Sequence, residues 1–304
     1  MPSPSPRAGA LALAVDIGGT KLAAALVNGA GVVRATTRHS VPTPGSGHPE
    51  VLWSALAALV EQVVEPSASE IEVCGVGCGG PMECGGERVS PLNIPAWRGF
   101  PLRARLADLL GDGLAVAVDN DAKALALGEG WVGAAAGGRA FLAMVVSTGV
   151  GGGIVLDGRL LEGSDGNAGH IGHVIVEPAG RLCVCGARGC LEAEASGSAI
   201  RRQIGADPAR APIEVRQRAG RLVGRAVASV ANLLDLRLAV VAGSVALGYG
   251  APFFEAAQGE LDASARLEFS RGARIVPAGL GADGPLVGAA AVGLRAAGRD
   301  LGIK

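Results

Sequence analysis

Residues 11–31 read LALAVDIGGTKLAAALVNGAG: an apolar run, a Gly-Gly turn and a second apolar run. Two such runs joined by a short glycine turn predict a hairpin of two strands. The pattern returns at residues 140–160, AFLAMVVSTGVGGGIVLDGRL, again with hydroxyl side chains and glycines at the turn. Two halves that each open strand, glycine turn, strand predict an internal duplication. Between them, Val51, Leu52, Ala55, Leu56, Leu59, Val60 and Val63 repeat at helical spacing, with Pro49 at the start. VPTPGSGHPE (41–50) reads as loop, and IEVCGVGCGG (71–80) and LAVAV (114–118) read as buried strands. PIEVRQRAGRLVGRAVASVANLLD (212–235) predicts a long helix started by Pro212, and RLAVVAG (237–243) a further strand. This alternation predicts an α/β fold, not a helical bundle or a sandwich.

The 304 residues exceed what one core usually fills, since single cores stop growing near ~250–300 residues, so two lobes are expected. Their expected limits are 1–119, completed by a C-terminal helix at 288–304, and 120–287. Half the chain is apolar (49%), which supplies ample core, while the net charge of −1 and 3% aromatic content give no basic, stacking surface for nucleic acid. MPSPSPRAGA reads as a frayed tail and not a signal peptide. The longest uncharged run, Ala140 to Leu156, is a strand–turn–strand and not a membrane helix. The expectation is a cytoplasmic protein with no membrane or nucleic-acid partner. In a reducing compartment the tight group Cys183, Cys185 and Cys190 points to metal more than to disulfides.

Several stretches carry candidate chemistry. In DIGGTK (16–21) the Gly18–Gly19 tip lets backbone N–H groups approach phosphate oxygens, Thr20 adds a hydroxyl and Asp16 is suited to Mg²⁺. An ordinary hairpin turn is the plain alternative. Walker-loop spacing is missing, and a strand follows where a Walker loop needs a helix. STGVGGG (147–153) is the matching turn of the second half. In VDNDAKALALGEG (118–130) a strand ends at Val118 and a helix is expected after Asp121. Asn120 and Asp121 then stand at the C-terminal edge of a strand, where α/β folds bind ligands. One of Asp119, Asn120 and Asp121 is expected to cap the helix. CVCGARGC (183–190) offers three thiolates, and zinc wants four N or S ligands, so His173 or His170 of NAGHIGH (167–173) is the nearest fourth. GLGADG (279–284) fits a dinucleotide pattern, but too little chain follows for a βαβ unit, and it reads as a loop before a last helix.

Together these segments resemble the ROK group of sugar kinases and sugar-responsive repressors, within the two-lobed actin/hexokinase-like (ribonuclease H-like) ATPase fold with a central cleft. The resemblance runs from Asp16 to about Gly288 and rests on DIGGTK, GVGCGGP (75–81), PLNIPAW (91–97), DNDAKALALGE (119–129), GHIGHVIVEPAGRLCVCGARGCLEAEASG (169–197) and GADGPLVGAAAVG (281–293). It implies an ATP-dependent kinase acting on a hexose hydroxyl, with glucose as the expected sugar. Kinases for N-acetylmannosamine, N-acetylglucosamine, fructose or a cyclitol are the alternatives. Polyphosphate is an alternative donor.

By that resemblance Asp121 is the base. Gly80, Asn93, Asn120, His170, His173 and Glu192 are the sugar contacts. Asp16, Gly18, Gly19, Thr20, Lys21, Thr148, Gly149 and Gly243 serve ATP and Mg²⁺. His173, Cys183, Cys185 and Cys190 hold a structural Zn²⁺. A homodimer or homotetramer is implied. Two departures stand out: His170 replaces the family's usual Glu, and Ala242-Gly243 replaces a glycine pair. Repressor relatives carry a winged helix-turn-helix ahead of this part, and with DIGGTK at residue 16 none is expected here. A sugar-binding regulatory protein without kinase activity is the reading from another class.

Overall fold

The structure, a computed structural model, describes residues 11–45, 47–65, 70–111 and 113–303; the tail MPSPSPRAGA lies outside them. The chain runs β1 (Leu11–Ile17), β2 (Lys21–Asn28), β3 (His39–Pro42), α1 (Pro49–Val64), β4 (Ile71–Cys78), α2 (Leu102–Leu110), β5 (Ala115–Asn120) and α3 (Asp121–Val132). It continues through β6 (Phe141–Val146), β7 (Val150–Leu156), β8 (Arg159–Leu160), α4 (Leu191–Ala195), α5 (Gly197–Ile204) and α6 (Ile213–Leu234). It ends with β9 (Leu238–Ala242), α7 (Ser244–Tyr249), α8 (Ala251–Ser264), β10 (Arg274–Pro277) and α9 (Gly284–Ala296).

Among the described residues the strands form two five-stranded sheets, ordered β3-β2-β1-β4-β5 and β8-β7-β6-β9-β10. In each sheet the first three strands in that order pair antiparallel and the last three pair parallel. Order and direction therefore repeat strand for strand, as the two glycine-turn hairpins lead one to expect. The fold is the actin/hexokinase-like α/β type. No helix among the described residues is long and apolar enough to cross a membrane.

Two compact units divide the chain. The first runs through Gly137 and takes in Glu162–Ala168 and the stretch from Leu280 onward; the second is Gly138–Leu161 with Gly169–Gly279. The boundary thus falls after α3 and not at 119/120. The reason is packing: a Cβ on Gly288 of α9 would lie 3.0 Å from the Leu125 nitrogen of α3, and one on Gly128 would lie 3.0 Å from the Gly288 nitrogen. Glycines at both places let the helices touch backbone to backbone, which keeps α3 with α9.

In unit 1, strand alternation sends Leu11, Leu13, Val15 and Ile17 into a core with Leu52, Leu56, Leu59 and Val60 of α1 and with Trp97 and Leu102. Ala12, Ala14 and Asp16 take the opposite face. Small residues there admit α9, and a side chain on Gly75 would collide with the Ala289 carbonyl. Unit 2 builds its core from β6, β7 and β9 with α6 and α8.

Two local readings need correction. Val41 and Pro42 belong to β3, paired with Leu22 and Lys21, so the loop begins at Thr43. β5 continues to Asn120 and α3 starts at Asp121 itself.

Candidate active site

In unit 1 the sheet register sets Asp16 of β1 against Gly77 of β4, and Gly77 against Asp119 of β5. Glycine at 77 leaves the space open: a Cβ there would sit 3.6 Å from the Asp121 Cα and 3.9 Å from Asp16 Oδ1. Two carboxylates therefore share the region where β1 ends and α3 begins. Crowding by protein, then the Asp121 charge, raise the Asp16 pKa to about 7 against the opposing pull of Lys21. Burial also raises that of Asp121, against the backbone N–H groups that favour its charged form.

Of the three polar residues expected to compete for the cap, Asn120 takes it. Its Oδ1 accepts the N–H of Ala122 at 3.0 Å and of Lys123 at 3.3 Å. Asp121 accepts the Ala122 N–H at 2.8 Å with one oxygen. Asp119 is occupied by buried Lys123, whose Nζ lies 3.3 Å from it, 3.0 Å from the Gly166 carbonyl and in a close ion pair with Glu162. Lys123 thereby ties Glu162–Ala168, which arrive from the middle of the chain, to unit 1.

The DIGGTK turn is exposed at Gly19, Thr20 and Lys21. It is held from below by Thr43, whose hydroxyl donates to the Gly18 carbonyl at 2.7 Å and whose N–H donates to the Thr20 carbonyl at 3.1 Å. Asn93 packs on the turn, since a Cβ on Gly19 would meet the Asn93 Cβ at 2.8 Å. The Gly80 carbonyl accepts the Leu92 N–H at 3.1 Å, joining the GVGCGGP and PLNIPAW loops. Trp97 stacks on Phe100 at 4.3 Å, and Arg98 donates to the carbonyls of Pro91, Ile94 and Trp97, so the loop presenting Asn93 is rigidly built.

In unit 2 the STGVGGG turn is gripped by the segment that follows the cysteine cluster. The N–H groups of Gly197 and Ser198 donate to the carbonyls of Ser147 (2.7 Å) and Thr148 (3.1 Å). Glu192 Oε2 accepts the Val150 N–H at 3.0 Å, and a Cβ on Gly149 would lie 2.9 Å from that oxygen. Beside the turn is a cavity of about 290 Å³ lined by residues including Ser147, Thr148, Gly197, Ser244 and Tyr249. Gly243 stands where β9 passes into α7. Its φ of +101° and the backbone of Val146 against it leave no room for a side chain.

His173, Cys183, Cys185 and Cys190 bring four donor atoms within 4.8 Å of one another. His173 Nδ1 is 3.7 Å from Cys183 Sγ, and Cys185 Sγ is 3.7 Å from Cys190 Sγ. A tetrahedral ion with metal–sulfur bonds of ~2.3 Å puts its sulfurs about 3.8 Å apart, so the donor set fits zinc in both type and spacing. The Ala187 N–H and the neighbouring thiols lower the Cys185 thiol to about 7, while burial and the same neighbours push that of Cys190 up to about 12. His170 lies outside this group, its ring 6.1 Å from that of His173.

Glu194, two residues beyond Glu192, is buried between Arg181 and Arg218. Burial pushes its pKa up, but the Arg181 N–H and the two guanidinium groups outweigh that and hold the carboxyl below its ordinary value. Thr43, Arg98, Lys123 and Glu194 were not among the residues singled out in the sequence. The only local signal was a charge inside an apolar helix (Lys123) or beside a cysteine loop (Glu194).

Known proteins resemble this chain in sequence and in fold. The ROK family profile matches residues 12–295. The N-acetylmannosamine kinase of Citrobacter koseri is 38% identical over 78% of this chain and 84% of its own length. The glucokinase of Thermotoga maritima is 41% identical over 62% of this chain and 58% of its own. A ROK hexokinase from Thermus thermophilus superposes with a TM-score of 0.78 at 33% identity, over 94% of this chain and 99% of that one. A ROK family glucokinase from Streptomyces griseus, in complex with glucose and AMPPNP, superposes with a TM-score of 0.81 at 29% identity and the same coverage. With the matched profile spanning both sheets, both glycine turns and the cysteine cluster, the chain belongs to the ROK family.

Proposed function

We propose that the chain is an ATP-dependent sugar kinase that phosphorylates a hexose hydroxyl, with N-acetylmannosamine favoured as the sugar. The observation that carries the kinase reading is the Asp16–Asp121 pair beside an exposed glycine turn, in a ROK chain. Asp121 accepts the proton of the sugar hydroxyl as that oxygen bonds to the γ-phosphorus. The bond from phosphorus to the bridging oxygen breaks, and its electrons leave with ADP. Asp16 would hold Mg²⁺, which offsets phosphate charge when bound. The backbone from Gly18 to Lys21, and that of Thr148 and Gly149, binds phosphate oxygens, with the adenosine near Gly243 and the cavity beside Ser147. The ROK resemblance assigns the sugar contacts to Gly80, Asn93, Asn120, His170, His173 and Glu192.

The four donors at His173, Cys183, Cys185 and Cys190 would hold a structural Zn²⁺, which supplies rigidity and leaves no open coordination position for water. His173 would offer Nδ1, the atom beside Cys183 Sγ, to the ion, which would leave Nε2 for the sugar.

His170 bears on which hexose is used. A carboxylate only accepts hydrogen bonds, whereas a neutral imidazole also donates one. The carbonyl oxygen of an acetamido group only accepts, so it pairs with His170 and not with a Glu. N-acetylmannosamine kinases are among the relatives that match over 78% of the chain. Glucose, the sugar expected from the sequence, is the second reading, favoured by the glucokinase relative and the glucose complex. An ADP-release assay across hexoses, N-acetylhexosamines and cyclitols, run with ATP and separately with polyphosphate, tests both. N-acetylmannosamine is expected to have the highest kcat/KM and ATP to be the donor. Silence across the panel would overturn the kinase reading in favour of a sugar-binding regulator.

A further inference from the structure

We infer that Glu194 is a positioning residue that closes the metal loop at its base, so that the four donor atoms are gathered before an ion arrives. The inference rests on the metal reading above and adds a residue outside the ligand set. The three cysteine ligands lie between residues 183 and 190, and Glu194 joins the two ends of the stretch that carries them. Its Oε1 accepts the Arg181 N–H, and its Oε2 accepts Arg181 Nη1 at 3.0 Å and Arg218 Nη2 at 2.7 Å. Arg181 precedes the first cysteine by two residues, and Glu194 follows the last by four. The backbone closes alongside: the Gly189 N–H donates to the Arg181 carbonyl at 2.9 Å, and a side chain on Gly180 would collide with Glu194 Oε1.

Three features make this a device of geometry and not general stabilisation. The Glu194 side chain is only 2% exposed, and a buried ion group is a weak source of net stability compared with apolar packing. Helix α4 is five residues long, too short to hold itself, yet it carries Glu192 and follows directly on Cys190. Arg218 lies on α6, the long helix of the unit 2 core, so Glu194 moors α4 to a rigid element.

The test is zinc binding by the full chain, measured by competition with a colorimetric chelator, with Co²⁺ absorption as a second reading of the ligand set. Glu194→Gln is expected to weaken zinc by ~10–100-fold, the usual effect of losing an outer partner of a metal site. The sugar KM is expected to rise with it while kcat changes little. Arg218→Met, which cuts the mooring but leaves the loop closed, is expected to keep zinc affinity near that of the parent. Where Glu194→Gln does not fold, Arg181→Ala replaces it, since that side chain is 41% exposed and tolerates truncation; faster zinc loss is expected. Unchanged zinc affinity in Glu194→Gln or, where that variant does not fold, zinc loss from Arg181→Ala no faster than from the parent, would overturn the inference and leave the metal reading intact. Equal loss in Arg218→Met would overturn it in favour of mooring alone. A parent chain that takes up no zinc would overturn the metal reading, and this inference with it.

Discussion

The two glycine turns occupy equivalent places in sheets of the same order, yet they are held by different means. The turn at Gly18–Gly19 rests on loop residues: the Thr43 hydroxyl below it and the Asn93 Cβ against it. The turn at Thr148–Gly149 rests on α4 and α5, through Glu192 and the N–H groups of Gly197 and Ser198. Those helices start where the cysteine cluster ends. The second turn is therefore mechanically downstream of the cysteine loop, and the first is not. A duplicated topology has one turn beside the Asp16 and Asp121 carboxylates and one turn beside the segment that follows the cysteine cluster.

Asp121→Asn strikes the first half alone and should have the largest effect. It should lower kcat by ~10²–10⁴-fold, the usual contribution of a positioned base, while sugar binding by calorimetry and zinc content stay as in the parent. Near-normal turnover would remove Asp121 from the mechanism. Cys185→Ser strikes the second half. It should lose bound zinc and, because Glu192 and His173 are released together, raise the sugar KM by about 10–100-fold. An active variant with parental KM and no zinc would separate the loop from the sugar.

The glycines themselves sharpen the contrast. Alanine at 19 meets the root of the Asn93 side chain, which cannot swing aside. Alanine at 149 meets the tip of Glu192, which can, at the expense of its bond to Val150. Gly19→Ala should therefore lose stability, by the ~1–3 kcal/mol typical of overpacking, and bind ATP less well. Gly149→Ala should keep its Tm and show a raised sugar KM. The same response in both would argue that the turns are equivalent after all.

The smallest effect concerns charge. The folded pKa of Asp16, about 7, lies above its ordinary value of 3.8. The native state thus favours the protonated form. The stability linked to this group is complete below pH ~4 and is lost as pH rises through about 7. Asp16→Asn removes that loss. In metal-free buffer its Tm should gain on the parent between pH 5 and 8, by about 2–4 °C for each kcal/mol recovered, while kinase activity falls. A pH-independent gap would show that folding does not raise the Asp16 pKa.

Sequence spacing alone was enough for some of this architecture. Strands β1 and β2 are neighbours in the chain and join through a glycine turn, as are β6 and β7, so local pattern suffices. Cys183, Cys185 and Cys190 crowd together by spacing alone. The short edge strands β3 and β8 were not legible, because four and two residues carry too little period. Nor was the membership of Glu162–Ala168 in unit 1, which depends on a lysine 39 residues away in the chain.

The amino-acid sequence by itself determined the α/β class, the duplication, the cysteine cluster with its nearby histidines, and the Asn-Asp segment at a strand end. All of these depend on residues close together in the chain. Only the tertiary structure decided that Asn120 is the cap while Asp121 faces Asp16, and that α3 stays with α9. It also decided that Glu194 spans the cysteine loop. The reason is physical: these choices are made by contacts between distant segments, where burial, register and the room left by a glycine select one partner among several that the local pattern allows.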